Sequence, residues 1–295
     1  MKSVIAPAVS ALSTGSSNLR GKDIYSLLLV ERDSSDVIKR AKLLLVQTVD
    51  HKLYSIDVAP DVKVDLPGRL GEEEYQKIYK LARTLDGEFN GAVLLTEATK
   101  KLLQVNVDRY LVMEGPAFNL VDGAVFHKEL GLLFPWESLK LVEQAETNLS
   151  AGELLDIVIF ARGLRQLERE EINPEQIADL GLKLRDVTLS GAVAQENLGV
   201  VVLNGTGVPN MAKEVSDVLW NMGGRISLAG NAENVYEHSY LITDDAFSAT
   251  VKYISDFYPD IKIINKSAAA SLGEDLLDRG DICLIVGFDI LAQLE

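Results

Sequence analysis

The order of short apolar runs in the last third of the chain constrains the fold more than any other feature of this sequence. Strand patterns alternate there with helical patterns, in the order strand, helix, strand, strand, helix, strand and a terminal strand. The predicted elements are Val200–Leu203, Pro209–Met222, Arg225–Ala229, Ser239–Thr243, Asp245–Tyr258, Ile261–Asn265 and Asp281–Phe288. Strands that alternate with helices indicate a sheet covered by helices. We therefore expect a small α/β sandwich at the end of the chain.

The part of the chain that begins at Asp23 is richer in strands. Apolar runs predict strands over 24–30 and 43–49, and a turn at 50–52 leads into a returning strand over 53–58. The elements predicted after this hairpin are helices over 72–85 and 91–103, a strand over 107–113, a short helix over 116–121 that ends at Asp122-Gly123, and a helix that starts within 148–153. This order predicts a second α/β domain, a mixed sheet flanked by helices.

Composition marks two boundaries in the chain. Residues 13–18 have a flexible-linker composition, so residues 1–22 are expected to form a flexible lead-in, and they only faintly resemble a signal peptide. The segment 189–198 is small and polar and shows no periodicity, which is typical of a domain boundary. A chain of 295 residues is long enough for two domains of about 100–200 residues each. We place these domains at 23–190 and 198–295.

Charge and residue usage exclude several classes of function. The chain has 29 Lys and Arg against 44 Asp and Glu, and a net charge of −15 opposes binding to nucleic acid. The single cysteine, Cys283, lies in an apolar run and is expected in the core. Three scattered histidines have no metal-ligand spacing, so no zinc site is expected. No apolar run approaches the ~20 residues that span a bilayer.

One glycine-rich turn lies where an anion could bind. Asn204-Gly205-Thr206-Gly207 follows a predicted strand and precedes a predicted helix, whose amino end favours negative charge. The turn lacks a third glycine and has no Gly-Lys-Ser/Thr, while Pro209 suits a first helical turn. A tight structural turn is therefore favoured over a phosphate site. The acidic runs Glu72–Glu74 and Asp244-Asp245 are interpreted as solvated helix starts.

Three separated motifs in the last third of the chain occur in a recognisable order. They are the stretch 200–209, Gly230-Asn231-Ala232 and the closing stretch 285–289. Together they resemble the LytR C-terminal domain, which is found in LytR-CpsA-Psr proteins of the bacterial cell envelope, over about 198–292. The resemblance implies an extracytoplasmic module that binds envelope components.

Shorter pieces of residues 23–170 resemble the catalytic domain of the same LytR-CpsA-Psr family. The matching pieces are Ser26–Val30, Arg40–Val46, Pro60–Gly68, Val107–Tyr110, Leu120–Gly123 and Arg162–Gln166. The resemblance implies a domain that uses magnesium to transfer glycopolymers from a polyprenyl-pyrophosphate carrier to the cell wall.

The residues that this chemistry needs are only partly present. Such a transfer requires carboxylates to hold the metal and arginines to neutralise the pyrophosphate. When Arg40 is aligned with the family's Arg-Ser/Ala-Asp motif, Lys42 falls on the metal-binding aspartate; the alternative register keeps Asp36 but loses the arginine. In the family's Pro-Arg-Asp motif, Asp61 is kept and Pro60 replaces the arginine. Loss of one such group costs orders of magnitude in rate.

We therefore expect an extracytoplasmic cell-envelope protein that has lost catalytic competence and acts in binding or scaffolding, without a cofactor. Arg40, Asp61, Arg162 and Arg165 are candidates for an anion-binding groove, although a loop acid and solvated helix cations are their simpler interpretation. The partners implied by the resemblance are a cell-wall polymer, a polyprenyl-linked lipid or an envelope protein. Family members are usually tethered by an amino-terminal helix, and none occurs in this sequence.

Two alternatives remain open. The first is an active magnesium-dependent phosphotransferase whose missing groups come from other positions, such as Arg32, Arg69 or Arg83. The second is a structural partner of an envelope or secretion assembly that shares only the fold.

Overall fold

Two separate sheets organise the chain. The computed structural model describes residues 23–66, 70–85, 90–127, 140–174, 180–258 and 260–290. The predicted lead-in over residues 1–22 lies outside the described residues, as do Pro67, Gly68 and Arg69. The first sheet has six strands and the second has five, and both are mixed. The predicted α/β class is confirmed.

The first sheet lies within residues 24–172, called the N-terminal unit below. Its strands are β1 (Ile24–Arg32), β2 (Ile38–Gln47), β3 (Lys52–Val58), β6 (Arg109–Glu114), β7 (Glu146–Thr147) and β8 (Arg169–Ile172), and a separate hairpin consists of β4 (Lys63–Leu66) and β5 (Gly71–Glu74). Their order across the sheet is β7-β6-β1-β2-β3-β8. β2 is antiparallel to both of its neighbours, so β1 and β3 end at the edge where β2 begins.

Helices cover both faces of this sheet. They are α1 (Tyr75–Thr84), α2 (Gly91–Leu103), α3 (Gly115–Asp122), which continues as a π-helical turn (Gly123–His127), and α4 (Ala151–Gly163). Alternate residues of β1 point to opposite faces, because side chains alternate along a strand. Leu28 packs with α1 and α2, whereas Leu29 packs with α3 and α4. Each face of the sheet therefore has its own buried core.

Two short helices connect the N-terminal unit to residues 199–290, the C-terminal unit. They are α5 (Leu180–Thr188) and α6 (Gly191–Glu196). Buried Asn221 joins the units: its Nδ2 donates to the carbonyl of Gln104 at 2.9 Å, and its own carbonyl accepts from Thr188 at 2.8 Å.

The C-terminal unit has the predicted order of elements. Its elements are β9 (Gly199–Asn204), α7 (Met211–Asn221), β10 (Arg225–Asn231), β11 (Tyr240–Ile242), α8 (Ala249–Phe257), β12 (Lys262–Ile264), α9 (Lys266–Ala269) and β13 (Ile282–Val286). The strand order is β10-β9-β13-β11-β12. Cys283 is fully buried on β13, and this burial raises the pKa of its thiol to about 12. The prediction that Cys283 belongs to the core is confirmed.

The structure adds detail to three local predictions. Glu72–Glu74 directly precedes a helix, since Glu74 is the N-cap of α1, but the run also belongs to strand β5, which pairs antiparallel with β4 and has a cross-strand ion pair between Lys63 and Glu72. The segment 189–198, which shows no periodicity in the sequence, contains α6, which Ser190 caps by accepting from Val193 N–H. The short helix α3 ends at Asp122 with Gly123 as its C-cap, as predicted, and the chain then continues into the π-helical turn.

Candidate functional site

A groove opens at the edge of the N-terminal sheet where β2 begins and β3 ends. Its volume is about 700 Å³. The charged side chains that line it come from Lys39, Arg40, Lys42, Asp57 and Asp61. The apolar part of its lining consists of Ala41, Val58, Ala59, Pro60, Val62, Leu102, Leu103, Pro174 and Leu180. An apolar groove with a few charged groups suits a ligand that has an apolar chain and a charged end.

Arg40 is held at the rim of this groove by three neighbours. It lies opposite Glu31 in the β1–β2 register, and its Nε donates to that carboxylate. Its Nη2 donates to the side-chain oxygen of Asn119 at 2.6 Å, and its guanidinium lies 4.3 Å from the ring centroid of Phe118. The side chain is still 43% exposed, and a guanidinium has five N–H donors. Arg40 therefore retains donors for an anion.

Lys42 points to the same face as Arg40 but lies deeper. Its Nζ forms an ion pair with Asp122 of α3 at 3.1 Å, and the two side chains are only 17% and 14% exposed. The ammonium also lies 4.9 Å from the ring centroid of Phe126, within cation–π range. A lysine held in this way carries a fixed positive charge at the floor of the groove.

Asp57 lies directly opposite Lys42 in the β2–β3 register. Partial burial raises the pKa of Asp57, and the carboxylates of Glu171 and Asp122 act in the same direction, while Lys42 opposes them. Lys42 and Asp57 thus line the groove, while Asp122 and Glu171 act on Asp57 from outside its lining. The sequence did not single out Asp57, Asp122 or Glu171, because they come from three separate elements.

The second sequence-predicted residue in the groove is Asp61. It is exposed and lies in the turn that follows β3. The turn is closed by backbone hydrogen bonds, from Val62 N–H to the carbonyl of Ala59 at 3.2 Å and from Gln76 N–H to the carbonyl of Pro60 at 2.8 Å. The structure thus brings Asp61 and Arg40 to the same groove.

Arg162 and Arg165 lie elsewhere, so the four candidates do not line one groove. The ring of Phe160 stacks on His51 at 6.0 Å, which places the end of α4 beside the β2–β3 turn. That turn is at the far end of β2 from Arg40, roughly 23 Å away at about 3.3 Å per residue. Arg165 is 83% exposed and pairs with Glu168 at 2.6 Å. Arg162 lies in the last turn of α4 and Arg165 just after it, so the structure brings only Arg40 and Asp61 of the four candidates to this groove.

The two described arginines of the phosphotransferase alternative meet at Asp36. Arg32 binds one oxygen of this carboxylate at 2.7 Å and Arg83 binds the other at 2.8 Å. Both guanidinium groups also lie over the ring of Tyr79, at 5.4 and 5.9 Å from its centroid. The alternative register therefore has an aspartate with two arginines, but each carboxylate oxygen already accepts from a guanidinium.

The glycine-rich turn of the C-terminal unit is satisfied by its own hydrogen bonds. The Asn204 side-chain oxygen accepts from the N–H and the hydroxyl of Thr206, at 3.0 and 2.7 Å, and its Nδ2 donates to the carbonyl of Val208 at 2.8 Å. Gly205 lies so close to Tyr236 that a Cβ would be 2.6 Å from its ring, and Gly207 has φ +72°. These contacts agree with the structural-turn interpretation of residues 204–207.

The other C-terminal motifs close on this same turn. Ala232 N–H donates to the carbonyl of Asn204 at 2.9 Å, and Gly205 N–H donates to the carbonyl of Val286 at 2.8 Å. Asp289 accepts from the Ser239 N–H at 2.8 Å, and the Ser239 hydroxyl accepts from Gly287 N–H at 2.8 Å. The three motifs are thus one hydrogen-bonded structure at the ends of β9 and β13.

The groove does not fit the magnesium that the family resemblance implies. Magnesium is held by oxygen ligands in near-octahedral geometry. Here the Lys42 ammonium forms an ion pair with Asp122 and would repel a divalent cation. Among the described residues, no group of three or more His, Cys, Asp or Glu could hold a metal ion.

No helix of the described part of the chain is long and apolar enough to cross a membrane.

Comparison with known families identifies the C-terminal unit. Residues 197–287 match the family model of the LytR C-terminal domain, described as "LytR cell envelope-related transcriptional attenuator". The resemblance that the sequence indicated for this part of the chain is thereby confirmed. No curated protein matches the sequence.

Several solved structures resemble the chain at low identity. One is Bacillus subtilis TagV, with 12% identity and a TM-score of 0.41 over 52% of this chain and 84% of that chain. Another is a transcriptional regulator from Enterococcus faecalis, with 10% identity and a TM-score of 0.40 over 69% of this chain and 89% of that chain. A third is the LytR-CPS2A-psr family protein YwtF (TagT) with bound octaprenyl pyrophosphate lipid, with 14% identity and a TM-score of 0.34 over 52% and 78%.

Proposed function

We propose that the chain is an extracytoplasmic cell-envelope protein that binds an envelope ligand without transferring it. The ligand would be a polyprenyl-linked lipid or the anionic part of a cell-wall polymer, and the groove at the edge of the N-terminal sheet would hold it. The apolar lining suits a lipid chain, and Arg40 at the rim suits a phosphate. Through such binding the protein would act as a scaffold for envelope components.

The ion pair between Lys42 and Asp122 is the observation that carries this proposal. Lys42 stands where the resemblance implies a metal-binding aspartate, and Asp122 neutralises it at 3.1 Å. An ammonium cannot coordinate a metal, and without that metal the charge that develops during phosphoryl transfer loses its main stabilisation. Binding is retained under this arrangement because the cations at the rim remain.

A thermal-shift titration with polyprenyl phosphates, with and without magnesium, tests the proposal. A ligand that binds only the folded state raises the melting temperature. We expect the wild type to be stabilised equally with magnesium and with EDTA. If the ligand concentration is well above any useful Kd and the melting temperature stays unchanged, the binding role is contradicted.

Two arginines of the chain provide a matched pair of variants. Arg40 and Arg165 are both exposed and each pairs with one glutamate, but only Arg40 lines the groove. Arg40→Gln is expected to weaken the ligand-induced shift, and Arg165→Gln is expected to leave it unchanged. Equal effects of the two substitutions would contradict the proposed location of the site.

The alternative function, a glycopolymer phosphotransferase, is favoured by the convergence of Arg32 and Arg83 on Asp36. It predicts magnesium-dependent turnover of a polyprenyl-pyrophosphate-linked glycopolymer, abolished by Asp36→Asn. Turnover by the wild type that disappears in this variant would replace the binding role with the enzyme.

A further inference from the structure

At the floor of the groove, the Lys42 ammonium has carboxylate neighbours. Lys42 lies opposite Asp57 in the β2–β3 register and forms an ion pair with Asp122 of α3, while the carboxylate of Glu171 acts on Asp57 from β8. Asp57 and Asp122 thus come to Lys42 from two different elements. The ring of Phe126 is a further neighbour of the ammonium, of a different kind.

We propose that the Lys42 ammonium takes the place of a bound divalent cation in this chain, so that the groove holds an anionic ligand without metal. The ammonium neutralises part of the carboxylate charge at the groove floor and adds a positive charge beneath the rim. This role of Lys42 goes beyond the proposed function and rests on the proposed function only for the identity of the ligand.

The surroundings of Lys42 suit an ammonium better than a metal ion. The Nζ lies 3.1 Å from the nearest Asp122 oxygen, which is a hydrogen-bonding distance, and 4.9 Å from the centroid of the Phe126 ring. Aromatic rings attract an ammonium through the face of the ring, whereas magnesium requires oxygen ligands at about 2.1 Å. The site is therefore built around a covalently attached charge that cannot dissociate.

This interpretation predicts what a single substitution would create. An aspartate at position 42 has a side chain shorter than lysine, and it would leave a gap between its own carboxylate and Asp122. A divalent cation with oxygens at about 2.1 Å on either side can fill such a gap. Lys42→Asp is therefore expected to convert a metal-indifferent protein into a metal-dependent one, with Asp57 and Asp122 as further ligands.

The test compares melting temperatures of the full chain in EDTA, in magnesium and in manganese. We expect no metal effect in the wild type. Lys42→Asp is expected to melt lower in EDTA because its carboxylates repel one another, and to recover by about 5–10 °C when the metal is at a hundredfold excess over Kd. Lys52→Asp, an exposed charge reversal at the first residue of β3, is the control and is expected to be metal-indifferent.

Each outcome decides the inference. If metal raises the melting temperature of the wild type as much as that of Lys42→Asp, a cation site exists beside the lysine, and the inference is overturned. A folded Lys42→Asp that ignores metal also overturns it, since the carboxylates then do not converge. If Lys42→Asp does not fold, Lys42→Asn decides by the same criterion, because its neutral amide oxygen can also bind a metal.

Inorganic pyrophosphate as a probe separates this inference from the proposed function. The wild type is expected to bind pyrophosphate in EDTA, Lys42→Asn to bind it at least tenfold more weakly, and Lys42→Asp to require metal. Tight binding by Lys42→Asn in EDTA overturns the role of the ammonium. If no form binds pyrophosphate or polyprenyl phosphate, the proposed function fails, and the metal response alone decides whether Lys42 replaces a cation.

Discussion

Glu196, the last residue of the connecting helix α6, is expected to stabilise the packing of α6 on the C-terminal unit through the first turn of α8. One carboxylate oxygen accepts from Ala249 N–H at 2.5 Å, and the other accepts from the N–H and the hydroxyl of Thr250 at 2.9 and 2.7 Å. Thr250 is buried, so water cannot replace all of these bonds. An acceptor at a helix start is worth about 1–2 kcal/mol. Glu196→Gln is expected to lower the free energy of unfolding by that amount, because its amide would place N–H groups against donors.

The pH dependence of this contribution follows from the pKa of Glu196. Partial burial raises the pKa, but the bonds from Thr250 and Ala249 outweigh burial and lower it overall. A carboxylate with a lowered pKa in the folded state stabilises the protein above its unfolded-state pKa, about 4.3, and this stabilisation disappears as the pH falls through the folded-state pKa. The difference in the free energy of unfolding between wild type and Glu196→Gln is therefore expected to be at its maximum at pH 7 and to vanish in acid.

Urea unfolding as a function of pH, together with amide exchange at Ala249 and Thr250, measures this effect. Glu237→Gln is the control, because Glu237 is exposed. Faster exchange at the two amides should accompany the loss of stability. A Glu196→Gln variant with unchanged exchange at these amides, or a stability difference that persists in strong acid, would refute the capping role.

Three further predictions concern packing and helix ends. Gly287→Ala should lower the melting temperature, because its Cβ would lie 2.5 Å from the carbonyl carbon of His238, while Gly230→Ala, with nothing within 4 Å, should not. The thiol of Cys283 should react with a disulfide reagent only at the rate of unfolding, since it is buried and its pKa is raised to about 12. Asn90→Ala should cost about 1 kcal/mol in urea unfolding, because the Asn90 side chain accepts from two N–H groups of the first turn of α2.

Helical periodicity predicted α2 over its full length, 91–103, because it is a local signal with a capping residue directly before it. The acidic run 72–74 predicted the start of α1, but not strand β5, because only pairing with β4 makes the run a strand. The short helix α6 spans six residues, too few for a periodic signal.

The candidate site required information that no local pattern contains. Arg40 and Asp61 are near one another because a hairpin joins β2 to β3, a relation that the sequence indicated. The contact of Lys42 with Asp122 depends on how α3 packs on the sheet, so a separation of 80 residues concealed it. Arg162 and Arg165 were grouped with Arg40 by resemblance, whereas the path of α4 places them at the opposite end of the sheet.

The closed turn at residues 204–207 separates what folding requires from what binding requires. Asn204, Gly205 and Gly287 are fixed in place by steric fit and by bonds between neighbouring loops, so the fold alone accounts for these residue types. Outward-facing positions such as Phe247, whose side chain is almost fully solvated, are under no such constraint. The motif at this turn therefore specifies the scaffold, and any binding surface of the C-terminal unit has to be sought among its solvated side chains.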